Sequence, residues 1–175
     1  MTAAGPAPEV PALARIARIA EESADTRTFE LSVAAGERFA AYVPGQFAML
    51  SVFGIGEAAF SLSSLPARRE GGICLTITVR RVGALTGALF ERQPGDLVGV
   101  RGPYGRGFPP VENEPTLYVG GGCGLSPLKP AIEAQLAVRR AGTAVTIVYG
   151  ARTADSRIHC AALDRWRAEP GARLV

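Results

Sequence analysis

The stretch Tyr118-Val-Gly-Gly-Gly-Cys-Gly-Leu-Ser-Pro127-Leu-Lys-Pro130 restricts what this chain can fold into more than any other part of it. Thr116 to Val119 reads as a buried strand, the glycines as a tight turn, and Ser126-Pro127 as the start of a helix. Ser is a favoured N-cap, and Pro fits the first helical position because its missing N–H had no partner there. A helix start presents unpaired amide N–H groups at the positive end of a dipole. Glycines without Cβ let a diphosphate come close to that end. The spacing Gly120-x-Gly122-x-Gly124-x-x-Pro127 departs from the Gly-x-Gly-x-x-Gly dinucleotide fingerprint, because Pro127 stands where the last glycine or alanine belongs. Two readings follow: a nucleotide pyrophosphate site, or the tight strand-to-helix connection that any α/β domain uses.

Upstream, the pattern is different. Leu13 to Ile19 is ambiguous between strand and helix and is taken as strand because its successors are strands. Thr26 to Val33 alternates with period two and is rich in β-branched and aromatic residues. Phe47 to Phe53, Ala59 to Ser63, Ile73 to Val82 and Leu97 to Val100 add short strands, with Pro44-Gly45 and Pro94-Gly95 as turns between them. About six such strands point to an antiparallel barrel. Gly83-Ala-Leu-Thr86 opens a short helix towards Arg92, which is either a second phosphate site or a capped connection across a barrel end.

The Gly/Pro-rich stretch from Arg101 to Pro115 separates this half from a strand–helix alternation: strand Thr116 to Val119, helix Leu128 to Arg140, strand Ala144 to Tyr149, helix Ser156 to Trp166. That is the beginning of a parallel sheet. The expected layout is a lead-in over 1–11, an antiparallel β-barrel over 12–110, and the first part of an α/β domain over 111–175. Two βα units and a fragment do not bury both faces of a parallel sheet. A piece of a longer chain is therefore expected, the alternative being a short domain completed by a partner.

Composition narrows the classes. A chain of 175 residues, 47% apolar and 20% charged, suits one comfortable core or two small ones. Net charge is +3, but the arginines are scattered, as at Arg68-Arg69, Arg80-Arg81 and Arg139-Arg140. No basic run with interleaved aromatics occurs, which speaks against a nucleic-acid face; phosphates of a dinucleotide or an acidic partner fit equally. Cys74, Cys123 and Cys160 are too few and too far apart for a four-cysteine zinc or iron–sulfur site, so no metal ligands are assigned. Their odd number argues against a disulfide framework and for a reducing compartment, with the cytoplasm as the expectation. No apolar run approaches the roughly 20 residues of a membrane span, and Met1 to Glu22 lacks the apolar core of a signal peptide.

The order of these parts resembles the ferredoxin–NADP reductase superfamily: a barrel carrying Phe60-Ser61, a Gly83-x-x-Thr86 helix start, and a later glycine-rich turn before Pro127. Pro44-Gly-Gln-Phe47, Gly54-Ile-Gly-Glu-Ala-Ala-Phe60-Ser61-Leu-Ser-Ser64, Arg101-Gly-Pro-Tyr-Gly105 and Tyr149-Gly-Ala-Arg152 are most similar to the FAD/NAD(P)-binding gamma subunits of cytoplasmic [NiFe]-hydrogenases and sulfhydrogenases. The related subunit of sulfite reductase and the electron-transfer subunit of dihydroorotate dehydrogenase are close seconds. The resemblance runs from about Leu13 through nearly the whole chain. It implies a six-stranded Greek-key FAD-binding barrel followed by a parallel-sheet NAD(P)-binding domain, with the flavin between them. Nicotinamide gives two electrons as hydride and iron–sulfur partners take one at a time, so a flavin serves as the converter.

By the same resemblance, Phe60, Ser61, Leu62 and Ser63 form the flavin motif, with Ser61 as the catalytic candidate near flavin N5, and Thr78, Val79 and Arg80 lie on the strand passing the flavin. Gly83 and Thr86 hold the FAD pyrophosphate; Gly121, Gly122, Gly124 and Pro127 shape the NAD(P) pyrophosphate turn. Arg152, ahead of Asp155 in the loop after the second strand, points to a 2′-phosphate and so to NADP(H), or else caps the sheet edge. Two departures stand out. Many relatives carry Arg two residues before the aromatic; here that residue is Ala58, leaving diphosphate charge to a helix end, to Arg80 or to Arg81. The aromatic is Phe60 rather than Tyr, which keeps the stacking and loses a hydroxyl.

Gamma-type relatives also carry a four-cysteine [2Fe–2S] segment, which is not found in these residues and is expected only in a further C-terminal segment or in a partner. Cys123 reads as a small side chain filling the turn rather than a redox thiol, His159 as a surface or partner-facing residue, and Leu163 and Trp166 as helix core. The leading expectation is an FAD-dependent NAD(P)H oxidoreductase (diaphorase) subunit that passes electrons to or from the iron–sulfur centres of a partner, as in a cytoplasmic hydrogenase complex. The alternatives are an electron-transfer subunit of dihydroorotate dehydrogenase or sulfite reductase type, a non-catalytic assembly subunit, and a nucleic-acid-binding barrel suggested by charge alone.

Overall fold

The computed structural model describes residues 10–175 apart from 35, 70, 71 and 110, so most of the expected lead-in over 1–11 lies outside the described residues. Alternation in the first half sends every second side chain inward. β1 (Ala12–Ser23) and β2 (Thr26–Val33) form a hairpin across Ala24-Asp25. On β2, Phe29, Leu31 and Val33 are buried and their neighbours are not, as a half-covered strand requires.

β3 (Phe47–Val52) and β4 (Gly56–Ser61) make a second hairpin. It is entered through Pro44-Gly45, where Gly45 takes φ +94° and an added Cβ would sit 2.8 Å from the Phe108 nitrogen. β5 (Ala67–Arg69), β6 (Gly72–Arg80) and β7 (Leu97–Tyr104) complete an antiparallel sheet of order β4-β3-β7-β1-β2-β6-β5. α1 (Ala84–Phe90) lies between β6 and β7.

Six barrel strands are expected and seven are found, because the short β5 pairs with β6 at Ala67 and Cys74. The sheet curls without closing. β4 and β5 remain its edges, while the segment after β4 reaches β6 through the Leu62–Ile77 bridge and a 2.8 Å bond from Ser63 N–H to the Thr76 carbonyl. Ile16, Phe29, Leu31, Leu50, Leu75 and Ile77 fill the inside of the curl. Since Ile73, Leu75, Ile77 and Val79 of β6 point in, Thr76, Thr78 and Arg80 face out.

β8 (Thr116–Gly121), β9 (Val145–Gly150) and β10 (Ala172–Leu174) form a separate parallel sheet of order β10-β9-β8. α2 (Leu125–Val138) follows β8 and α3 (Cys160–Ala168) follows β9. Leu125, Ile132, Ile158, Leu163 and Trp166 pack with Val145 and Ile147 on one face, so Leu163 and Trp166 are helix core as expected. Leu117 and Val119 alternate to the opposite face and are exposed. No helix among the described residues is long and apolar enough to cross a membrane.

Two helix starts differ from expectation. α2 begins at Leu125 with Gly124 as its N-cap, so Ser126 lies inside the first turn and does not cap it. Pro127 is in that same turn, where an amide N–H has no helical partner to lose. The second helix begins at Cys160 rather than Ser156, because Ala154–Ser156 form a 3₁₀ turn in which the Thr153 N–H donates to the Ser156 hydroxyl at 2.9 Å.

Truncating Phe29 leaves a cavity that neighbouring strands cannot fill, whereas Leu117 is already 62% exposed. Phe29→Ala is expected to lower unfolding stability by about 3–5 kcal/mol and Leu117→Ala by no more than about 0.5 kcal/mol, read from urea denaturation midpoints.

Candidate functional site

The outer side of β6 and the glycine turn after β8 meet at a cleft of about 400 Å³. Asp25, Thr26 and Arg80 line it from the antiparallel sheet; Gly121, Gly122, Cys123 and Arg152 line it from the parallel one. Arg80 Nε donates to Asp25 Oδ2 at 2.7 Å, and the Ser23 and Thr26 hydroxyls donate to Asp25 Oδ1. The Arg80 bond is the main reason the Asp25 carboxyl is held below its ordinary range. Cys123 Sγ lies 4.0 Å from the Thr26 hydroxyl, so the turn touches the β1–β2 hairpin.

The glycines of the turn are not demanded by packing. A Cβ at Gly122 or Gly124 would meet nothing within 4 Å, and one at Gly121 would meet only the Gly150 carbonyl at 3.9 Å. Gly122 needs its positive φ of +50°, but Gly124 does not. Gly83, too, has extended backbone and open space where a Cβ would sit. Open ground above backbone amides at the head of a helix is what a diphosphate requires, so these residues fit a dinucleotide.

The other expected site residues fall into three groups. Leu62 and Val79 are core side chains, 1% and 0% exposed, so only their backbones face a ligand. Phe60 and Ser61 are half-buried at the end of β4; Phe60 packs on the core, and the Ser61 hydroxyl has no partner among the described residues. Thr86 is engaged within its own turn. Its hydroxyl accepts from the Val82 and Gly83 N–H groups at 2.9 Å each and donates to the Gly83 carbonyl at 3.0 Å. That uses its donor and both lone pairs, so Thr86 shapes the turn instead of offering a free hydroxyl to phosphate. Of the two arginines left open, Arg80 is paired with Asp25, while Arg81 lies over the Phe90 ring at 5.8 Å.

Ser63 and Thr78 belong to a buried polar network at the seam between the two sheets. The Thr28 hydroxyl donates to Glu22 Oε1 at 2.7 Å and lies 2.9 Å from the Thr78 hydroxyl, which in turn donates to Ser63. His159 backbone N–H donates to Glu22 Oε2 at 2.7 Å, and its Nδ1 lies 3.3 Å from Oε1. His159 Nε2 is 3.2 Å from the Ser126 hydroxyl and 3.3 Å from the Thr78 hydroxyl. His159 is therefore buried, where a surface or partner-facing residue was expected. It caps α3 with φ +54° and ψ 36°, a left-handed conformation that costs an L-residue about 1–2 kcal/mol. Burial raises the Glu22 pKa, but the hydrogen bonds and charge of His159 and the Thr28 bond outweigh it and hold the carboxyl at about 2. Sequence reasoning gave Glu22 and Thr28 no role and read Ser126 only as a helix cap; nothing local marks residues that meet across 137 positions.

Residues 13–108 match the family model of the oxidoreductase FAD-binding domain. The chain is 35% identical to the probable dihydroorotate dehydrogenase B (NAD(+)) electron transfer subunit of Methanocaldococcus jannaschii, over 90% of this chain and 53% of that protein. It is also 35% identical to the sulfhydrogenase 2 subunit gamma of Pyrococcus furiosus, over 68% of this chain and 41% of that one. Among solved structures, an Amycolatopsis cytochrome P450 reductase superposes with TM-score 0.78 at 30% identity, over 94% of this chain and 50% of the other. The chain thus spans about half the length of the curated relatives it matches.

Because the folded pKa of Glu22 is depressed, its contribution to stability is full above the ordinary value of 4.5 and is lost as pH falls towards about 2. Melting temperature is therefore expected to fall more steeply between pH 6 and pH 3 in the parent than in Glu22→Gln. Parallel curves for the two would contradict the assignment.

Proposed function

The chain belongs to the oxidoreductase FAD-binding domain family, and from that premise we propose that it is a flavoprotein electron-transfer subunit, passing electrons between NAD(P)(H) and the iron–sulfur centres of a partner. The observation that carries this reading is the cleft, in which the outer surface of an antiparallel FAD-type sheet faces a glycine turn at the head of a parallel-sheet helix. In this reading, residues 12–110 carry FAD and residues 111–175 begin the NAD(P) part.

FAD accepts hydride from nicotinamide and releases electrons singly. Everything else is the work of this chain. The Ser61 hydroxyl, without a partner among the described residues, would orient the flavin edge that receives hydride, and Phe60, packed on the core, would offer its ring to the flavin. The turn from Gly83, braced by Thr86, offers the unpaired first-turn amides of Ala84 and Leu85 to the FAD diphosphate. Gly121, Gly122 and Gly124 let the NAD(P) diphosphate approach the head of α2, with Pro127 removing an amide that has no helical partner there. The ion pair with Asp25 holds Arg80 at the cleft, and Arg152, exposed on the cleft edge, is placed to meet a 2′-phosphate, which favours NADP(H).

Partner identity is the finer part of the proposal. Relatives named as dihydroorotate dehydrogenase electron-transfer subunits recur, and the sulfhydrogenase name supports the hydrogenase alternative. Cys74, Cys123 and Cys160 are all free and lie on separate elements, so we place the iron–sulfur centre outside these residues and the protein in the cytoplasm.

The purified protein is expected to be yellow, to release FAD on denaturation, and to be bleached anaerobically by NADPH. A colourless protein that takes up no FAD refutes the reading. Arg152→Ala is expected to raise the half-saturating NADPH concentration about tenfold while leaving that for NADH within about twofold, since only the former carries the extra phosphate.

A further inference from the structure

We propose that His159 and Glu22 are positioning residues, a latch that fixes the angle between the two sheets and so sets nicotinamide over flavin; this rests on the function proposed above. The His159 ring joins three elements at once. Nδ1 faces Glu22 on β1, while Nε2 faces Thr78 on β6 and Ser126 on α2. Each of the latter two residues lies on an element that adjoins one of the glycine turns. Ser126 comes two residues after Gly124, and Thr78 is on the strand that runs into Gly83. A shift of the imidazole therefore moves both turns relative to each other.

Proton supply constrains the arrangement. The Thr28 hydroxyl is committed to Glu22 and the Ser63 hydroxyl to the Thr76 carbonyl. Thr78 is left with one proton for Thr28, Ser63 and His159, its shortest contact being 2.9 Å to Thr28. Nδ1 lies against Glu22 in either charge state of the ring, and Nε2 meets the Ser126 hydroxyl, which can donate or accept, as the tie to the helix.

The backbone agrees. His159 is the only non-glycine with positive φ among the described residues, and that conformation aims its N–H at Glu22 Oε2. Glu22 and His159 side chains are 14% and 4% exposed, so most of their surface is turned to protein partners rather than to water. Lys129, which donates to the Ser63 carbonyl and pairs with Glu133, closes the same seam from α2.

The test uses the FAD-loaded full chain with His159→Asn, whose side chain tolerates left-handed backbone, and Glu22→Gln, which keeps volume and removes charge. Both are expected to retain FAD and to keep the half-saturating NADPH concentration within about twofold, while bleaching at saturating nucleotide slows about tenfold or more. The nicotinamide–flavin charge-transfer absorbance should weaken in parallel, and the double variant should be no slower than the slower single one. Ser126→Ala cuts only the tie to α2 and gives the same signature in milder form if either variant fails to fold. Parent-rate bleaching by FAD-loaded variants overturns the latch and leaves the flavoprotein reading intact. A parent protein that NADPH does not bleach refutes that reading instead. The latch is then decided by amide hydrogen exchange around Thr78 and in the first turn of α2: faster exchange in the variants supports it, and unchanged exchange overturns it.

Discussion

The architecture depends on a carboxylate set into the seam between two sheets. Burying an ion costs several kcal/mol unless its oxygens are satisfied, and both oxygens of Glu22 are, by Thr28 and by two groups of His159. The two apolar clusters lie inside the antiparallel curl and between the parallel sheet and its helices. Contacts across the seam are of another kind: hydroxyls, a lysine, a thiol and an imidazole. Apolar surfaces pack in many relative orientations at similar energy, whereas hydrogen bonds require particular angles. The stability of each half and the alignment between them thus have separate physical sources.

A second division of labour runs through the two glycine turns. Side chains build them and backbone amides are left to face the ligand. Thr86 uses its whole hydroxyl on the turn at Gly83, and Pro127 and Ser126 occupy the first turn of α2 without capping it. Ala58 supplies no charge, and Arg80 is already paired with Asp25. In the proposed complex, FAD would be held mainly by dipoles, with arginine reserved for the cleft edge at Arg152.

Much of this was legible in the sequence. Period-two alternation gave β2 with both ends correct, and the composition change after Pro115 marked the passage from antiparallel to parallel sheet. Local signals misled where tertiary contacts outbid them. Ser126 has the chemistry of a cap, but its hydroxyl turns to His159. His159 looked like a surface or partner-facing residue on a helix because its partner is a glutamate on the first strand. The three-residue β5 was too short to show a period, so its pairing with β6 adds a seventh strand to the expected six. Leu62 and Val79 matched a motif whose side chains point inward, which alternation around Ser61 and Thr78 could have revealed.

The 137-residue span between Glu22 and His159 bears on how the chain assembles. At translation speeds of about 5–20 residues per second, the carboxylate of Glu22 waits roughly 7–30 seconds for its imidazole to be made. For the later part of that interval, once β7 has been made, the nascent antiparallel sheet is complete in sequence and presents the glutamate to water. Docking of the second half is thus delayed by synthesis more than by loop-closure entropy, which grows only logarithmically with span.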